Sequence, residues 1–165
     1  MIDIPCPLAL HEEPVRPEWI DYNGHMNVAY YVLAFDHATD RFLEWIGLGE
    51  RVFVEHSSSF FMLEAHVTYE REVAEGDPLR FTTQLLDWDH KRAHFFHMMY
   101  HATDGYLAAT NELIGLHVDM TARRSAPFPE VCRQRLSALA AAHGRMPRPA
   151  QIGSVIGLSK KNPPS

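Results

Sequence analysis

Cysteine is scarce in this chain: 165 residues contain two, Cys6 and Cys132. They lie far apart and in no Cys-x-x-Cys spacing, which argues against a disulfide framework and a thiolate zinc site. A reducing cytoplasm fits. Long apolar runs are missing too, and none approaches the ~20 residues of a membrane span. The start, "MIDIPCPLAL", lacks the basic region of a signal peptide, carries Asp3, and has its apolar residues interrupted by two prolines. Positive charge is in deficit, with a formal net charge of −6. That argues against nucleic acid as a partner. An acidic protein can still bind an anionic cofactor through local cations and backbone amides. No Gly-x-Ser-x-Gly elbow surrounds any serine, so a serine nucleophile is not expected. There are no internal repeats.

What is present is ordinary for a soluble domain: 46% hydrophobic and 22% charged residues. The length suits one domain with its own core. Pro14 and Pro17 keep residues 12–20 out of a helix and point to an edge strand. From Asn27 to Ile46 the period changes. Val28, Tyr31, Val32, Phe35, Ala38, Phe42, Trp45 and Ile46 recur at helical spacing, opposite His37, Arg41 and Glu44. Gly47 and Gly49 stop this helix. Strands follow in "HVTYEREV", "LRFTTQLLDW", "AHFFHMMYHA" and "LAATNELIGLHVDM", separated by turns at "EGDP" and "TDGY". Ala108 and Ala109 would let another element approach the last strand closely. A second helix is expected over residues 130–142. One long helix among many strands implies an α+β fold, with one antiparallel sheet wrapped around the helix. The domain is taken as residues 1–143. Residues 144–165 form a Pro-containing basic tail, a mobile arm or a docking strap.

The stretch "IDYNGHMNVAYY" joins the first strand to the long helix. It places Asp21, Asn23 and His25 at every second position around Gly24. The plain reading is a turn followed by a helix cap. The chemical reading uses the helix start, where free amides and the positive dipole end can hold the oxygen of a polarised carbonyl. A carboxylate just ahead could attack that carbonyl or activate water. Asn23 would orient the water or the carboxylate, His25 would shuttle a proton, and Gly24 would leave room for a ligand. Together these suit hydrolysis of an activated acyl group.

"WIDYNGHMNVAYYVLAFDHATDRFLEWIGLG" resembles the opening of hotdog-fold thioesterases of the 4-hydroxybenzoyl-CoA thioesterase type. The resemblance continues through "VTYEREVAEGDPLRF" and "TDGYLAATNELIGLHVDMTARRSAPFP". It implies that Asp21 is the catalytic carboxylate and that amides around Asn27 and Val28 polarise the thioester. Asp21-x-Asn23-x-His25 is also similar to the catalytic network of plant acyl-carrier-protein thioesterases. The resemblance further implies a dimer or tetramer with the site at the subunit interface, an acyl-CoA substrate, and no metal or prosthetic group. The strand holding Ser58 and Ser59 would border the pocket, often across the dimer. Glu72 departs from the family, where many members carry Pro. Closely similar thioesterases belong to carnitine and betaine breakdown, which makes betainyl-CoA a candidate substrate. A hotdog dehydratase or hydratase needs a differently spaced Asp–His pair. A non-catalytic acyl-CoA or acyl-carrier-protein binding module would not need Asp21. The acidic surface favours CoA over an acidic carrier protein.

His90, His94, His97 and His101 would suggest a metal site on a helix, but a strand points His94 away from His97 and His101. They then read as polar positions on a half-exposed sheet face. Lys91, Arg92, Arg123 and Arg124 are the cations best suited to a CoA phosphate, against a solvated-surface reading. Trp19, Trp88 and several tyrosines could line an aromatic cage for a quaternary ammonium group.

Overall fold

The structure, a computed structural model, describes residues 4–158. The last residues of the tail, Lys160 and Lys161 among them, lie outside that range. The chain runs β1 (Leu8–Pro14), a 3-10 turn (Pro17–Trp19), α1 (Val28–Ile46), α2 (Glu50–His56), β2 (Ser58–Tyr69), β3 (Pro78–Trp88), β4 (Arg92–His101), β5 (Leu107–Asp119), β6 (Arg124–Ser125) and α3 (Glu130–His143). The strands form one antiparallel sheet in the order β1-β3-β4-β5-β2, with β6 paired to the end of β5. The architecture is the expected α+β hotdog: the sheet curls around α1.

Helix α1 divides the core in two. Tyr31, Ala34, Phe35 and Ala38 pack with Trp19, Met26, Phe81, Met99, Ala108 and Ala109. The Ala pair is fully buried there, as its small side chains suggested. Phe42 and Ile46 pack with Leu85, Phe95, Phe128, Leu136 and Leu139. Helix α3 therefore covers the carboxyl-terminal half of α1 and leaves its amino-terminal end open. Gly47 ends α1 in the left-handed conformation (φ 90°), which Gly adopts without a Cβ penalty.

Several expectations need correction. The first strand begins at Leu8, not at residue 12, and only a 3-10 turn follows Pro14. It is an edge strand, as its prolines imply. Val28 and Val32, assigned to the buried face of α1, are 59% and 48% exposed. The helical period is right, since Tyr31 between them is buried, but the cover stops short of these two side chains. The short α2 is unforeseen, because Glu50–His56 has no buried residue and so no amphipathic signature. β2 ends at Tyr69, so Arg71 and Val73 of "HVTYEREV" belong to the following loop. His97 and His101 lie on the core side and are buried, not on a half-exposed face.

After α3 the chain crosses the outer face of the sheet. Gln84 donates to the Pro147 carbonyl at 3.3 Å, and the Gly153 amide donates to Glu112 Oε2 at 2.7 Å. This cover explains why Gln84 and Phe96, which point away from α1, are nonetheless buried.

Candidate active site

Residues 20–26 form a small hairpin. Ile20 and Met26 bridge in antiparallel fashion. The Asp21 amide donates to the His25 carbonyl, and the Gly24 amide to the Asp21 carbonyl, both at 3.0 Å. A three-residue loop of this kind needs its last residue left-handed, and Gly24 supplies φ 81°. Asp21 Oδ1 accepts from the Asn23 amide at 2.8 Å, an Asx turn that fixes the carboxylate. Asp21 Oδ2 takes no hydrogen bond among the described residues. Two further bonds seat the hairpin: the Met26 amide donates to Val73 O, and the Asn27 amide to Trp19 O, each at 2.9 Å.

Asn27 then caps α1. Its Oδ1 accepts from the Ala29 amide at 3.0 Å, and its carbonyl accepts from the Tyr30 amide at 3.0 Å. Of the two amides expected to face a carbonyl, that of Asn27 is engaged by Trp19. The Val28 amide, at the first helical position, has no intrahelical partner and none elsewhere among the described residues. The structure thus presents one free amide at the positive end of a 19-residue helix, just after a loop that carries a half-free carboxylate.

Asn23 and His25 sit in the same loop but form no side-chain network with Asp21. Asn23 is exposed and Gly24 is open around its Cα. His25 Nε2 lies 3.5 Å from Glu72 Oε1, a contact that sequence reasoning did not foresee. The signal was the departure at Glu72 from the family pattern.

Ser58 and Ser59 lie elsewhere. They line a cleft of about 370 Å³ with Asp40, Arg41 and Glu44, in the carboxyl-terminal half of α1. The twelve residue rises of helix from Val28 to Asp40 span about 18 Å. One chain therefore does not bring these serines to Asp21. Ser58 is buried, and its Oγ lies 2.5 Å from His117 Nε2. His117 Nδ1 faces the Ala126 carbonyl at 2.9 Å. A carbonyl only accepts, so Nδ1 carries the proton and the Ser58 hydroxyl donates to Nε2.

The other candidates separate similarly. Trp19 stacks on Tyr30 at 5.7 Å in the amino-terminal half of the core, whereas Trp88 packs against the other half. They do not share a cage. Lys91 donates to Ser125 at 3.2 Å, and Arg92 pairs with Asp89 at 2.6 Å. His94 faces outward and contacts Glu112 at 2.9 Å. A cluster not foreseen joins His11, Glu13 and His37. Glu13 Oε1 lies 3.0 Å from His11 Nε2 and 2.8 Å from His37 Nδ1. Both rings can donate to the carboxylate, which ties β1 to α1. A groove of about 1360 Å³ runs along α3, and its lining includes Ile4, Cys6, Trp45 and Ala138 and no residue of the hairpin.

Comparison with known proteins places the chain in a family. The Thioesterase-like superfamily profile matches residues 15–136. A betainyl-CoA thioesterase of Pseudomonas aeruginosa is 43% identical over 92% of this chain and 95% of its own length. An L-carnitine dehydrogenase/betainyl-CoA thioesterase of Rhizobium meliloti is 35% identical over 96% of this chain, which spans 32% of that longer protein. A Staphylococcus aureus protein solved in complex with CoA superposes with a TM-score of 0.86, at 30% identity, over 95% of this chain and 99% of its own. The chain belongs to the thioesterase-like superfamily.

Proposed function

We propose that this thioesterase hydrolyses betainyl-CoA to betaine and free CoA, with Asp21 as the catalytic carboxylate. The observation that carries the chemistry is the pairing of Asp21, with one oxygen unengaged, and the free Val28 amide at the start of α1. The near-full-length likeness to a betainyl-CoA thioesterase supports the acyl group. The bound CoA of the Staphylococcus aureus relative supports CoA as the carrier.

In this reading Asp21 Oδ2 takes a proton from water as the water oxygen bonds to the thioester carbon. The oxyanion receives the Val28 amide. The C–S bond then breaks, and the leaving thiolate takes the proton from Asp21. Asn23 positions the water and His25 relays protons to solvent. Gly24 leaves the approach open. The reaction uses water and these residues, with no cofactor. The alternative, in which Asp21 attacks the carbonyl directly, is marked by ¹⁸O in the Asp21 carboxylate after a single turnover in ¹⁸O-water; the general-base route labels the product acid and never Asp21.

We place the working site at a dimer or tetramer interface. β2 is an open sheet edge of 12 residues, and Phe61, Met62 and Leu63 on it are exposed. An apolar, unprotected edge invites pairing with another chain. Such pairing would let Ser58 and Ser59 of one subunit approach substrate held by the other. A cytoplasmic setting suits the two free thiols. No helix among the described residues is long and apolar enough to cross a membrane. The test is thiol release from short, long, aromatic and betainyl CoA esters. Fastest turnover of betainyl-CoA supports the proposal. Tight binding without turnover would instead indicate a binding module.

A further inference from the structure

Betaine carries its charge close to the reacting carbon. One methylene separates the quaternary nitrogen from the carbonyl, so the two atoms are about 2.5 Å apart by ordinary bond geometry. Whatever recognises the ammonium group must therefore sit beside the Asp21 hairpin. A quaternary ammonium has no N–H to donate, so it is recognised by negative charge and by aromatic faces.

The loop after β2 supplies both. The Met26–Val73 backbone bond holds this loop against the hairpin, and Glu72 precedes Val73. The Glu72 carboxylate reaches to 3.5 Å from His25 Nε2. Tyr69 ends β2 half exposed, and the buried Tyr31 ring braces it edge-on, with centroids 5.2 Å apart at 90°. Burial raises the Tyr31 phenol above its ordinary value, and the nearby Tyr106, Glu72 and Tyr69 add to the rise. One small region thus gathers negative charge and ring faces. Arg71, the adjacent cation, has its guanidinium over the Tyr106 ring at 4.1 Å, and its side chain forms no ion pair with Glu72 among the described residues.

Resting on the betainyl-CoA reading above, we infer that Glu72 and Tyr69 form the subsite for the acyl ammonium group and select a cationic acyl chain. Glu72 is then a specificity-determining residue. The Glu72 side chain is 70% exposed on the single chain, so water screens it and the expected effect is moderate.

The test compares betainyl-CoA with tert-butylacetyl-CoA, in which carbon replaces nitrogen at the same shape without charge. The readout is the ratio of kcat/KM for the two esters in wild type, Glu72→Gln and Glu72→Asp. A disturbance of His25 acts on both esters and cancels in the ratio. Wild type should prefer the cation. Glu72→Gln should lower the preference by about tenfold, and Glu72→Asp should restore part of it. Added salt should erode the preference of wild type more than that of Glu72→Gln. A ratio in Glu72→Gln within about twofold of wild type would overturn the inference while leaving the betainyl reading intact. A wild type that treats both esters alike would overturn both, with hydrolysis itself standing. No hydrolysis of either ester would overturn the function from which the subsite is argued.

Discussion

The Met26 amide donates to the Val73 carbonyl at 2.9 Å, and this bond joins the hairpin carrying Asp21 to the loop carrying Glu72. The hairpin keeps its shape through Gly24. A Cβ there would meet nothing within 4 Å, so Gly24→Ala is penalised by its backbone alone. We expect a stability loss of about 1–2 kcal/mol. Gly24→Asn should lose less, because Asn tolerates the left-handed region. Activity should fall further than stability in the Ala variant, since relaxing the loop re-aims Asp21. Thermal melts beside kcat/KM check this.

His97 offers a pH-dependent test of the core. Thr39 Oγ1 donates to Phe35 O, and so accepts from His97 Nε2 at 3.0 Å; Thr83 faces Nδ1 at 2.9 Å. Burial pushes the imidazole down to about 3, from an ordinary value near 6.5. Below that ordinary value the unfolded chain binds a proton that the folded chain refuses. Stability therefore falls as pH falls from 6.5 toward 3, with a slope of up to about 1.4 kcal/mol per pH unit from this group. His143 is also pushed down by burial and adds to the effect. His97→Gln should be less stable at neutral pH yet show a shallower loss on acidification. An equal slope in denaturant melts of the two proteins would contradict this.

Much of this was legible in the residues. The period of α1 and the strand-like stretches that became β3 to β5 rest on local side-chain character, and the structure follows them. The hairpin was legible as a turn because Asn23-Gly24 needs a left-handed residue. What escaped has a common cause. Val28 and Val32 obey the helical period, but their exposure depends on where the sheet ends. The position of Ser58 depends on the length of α1, and the His25–Glu72 contact on a loop returning from nearly fifty residues away. His97 was misplaced because alternation reports which residues share a face, and not which face meets α1.

The Glu13 cluster is a stability test. Its carboxylate meets His11, His37 and, at 3.5 Å, Arg16. Glu13→Leu should cost about 1–3 kcal/mol by orphaning the ring donors. Glu13→Gln retains an acceptor oxygen and should cost less. Urea melts of the three proteins decide. Equal midpoints would show that β1 and α1 are held by packing alone.

The β2 edge can be tested by charge. Leu63 is 56% exposed, so Leu63→Lys leaves the single fold intact while opposing edge pairing. Light scattering should show a smaller assembly, and activity should fall with it. A variant that keeps both its assembly and its full activity would remove β2 from the interface.

The central claim is that Asp21 performs the chemistry, and the most direct measurement is thiol release from betainyl-CoA by wild type and Asp21→Ala side by side. With folding verified by thermal melt, the account predicts a loss in kcat of roughly a hundredfold or more. Full activity in Asp21→Ala would contradict it.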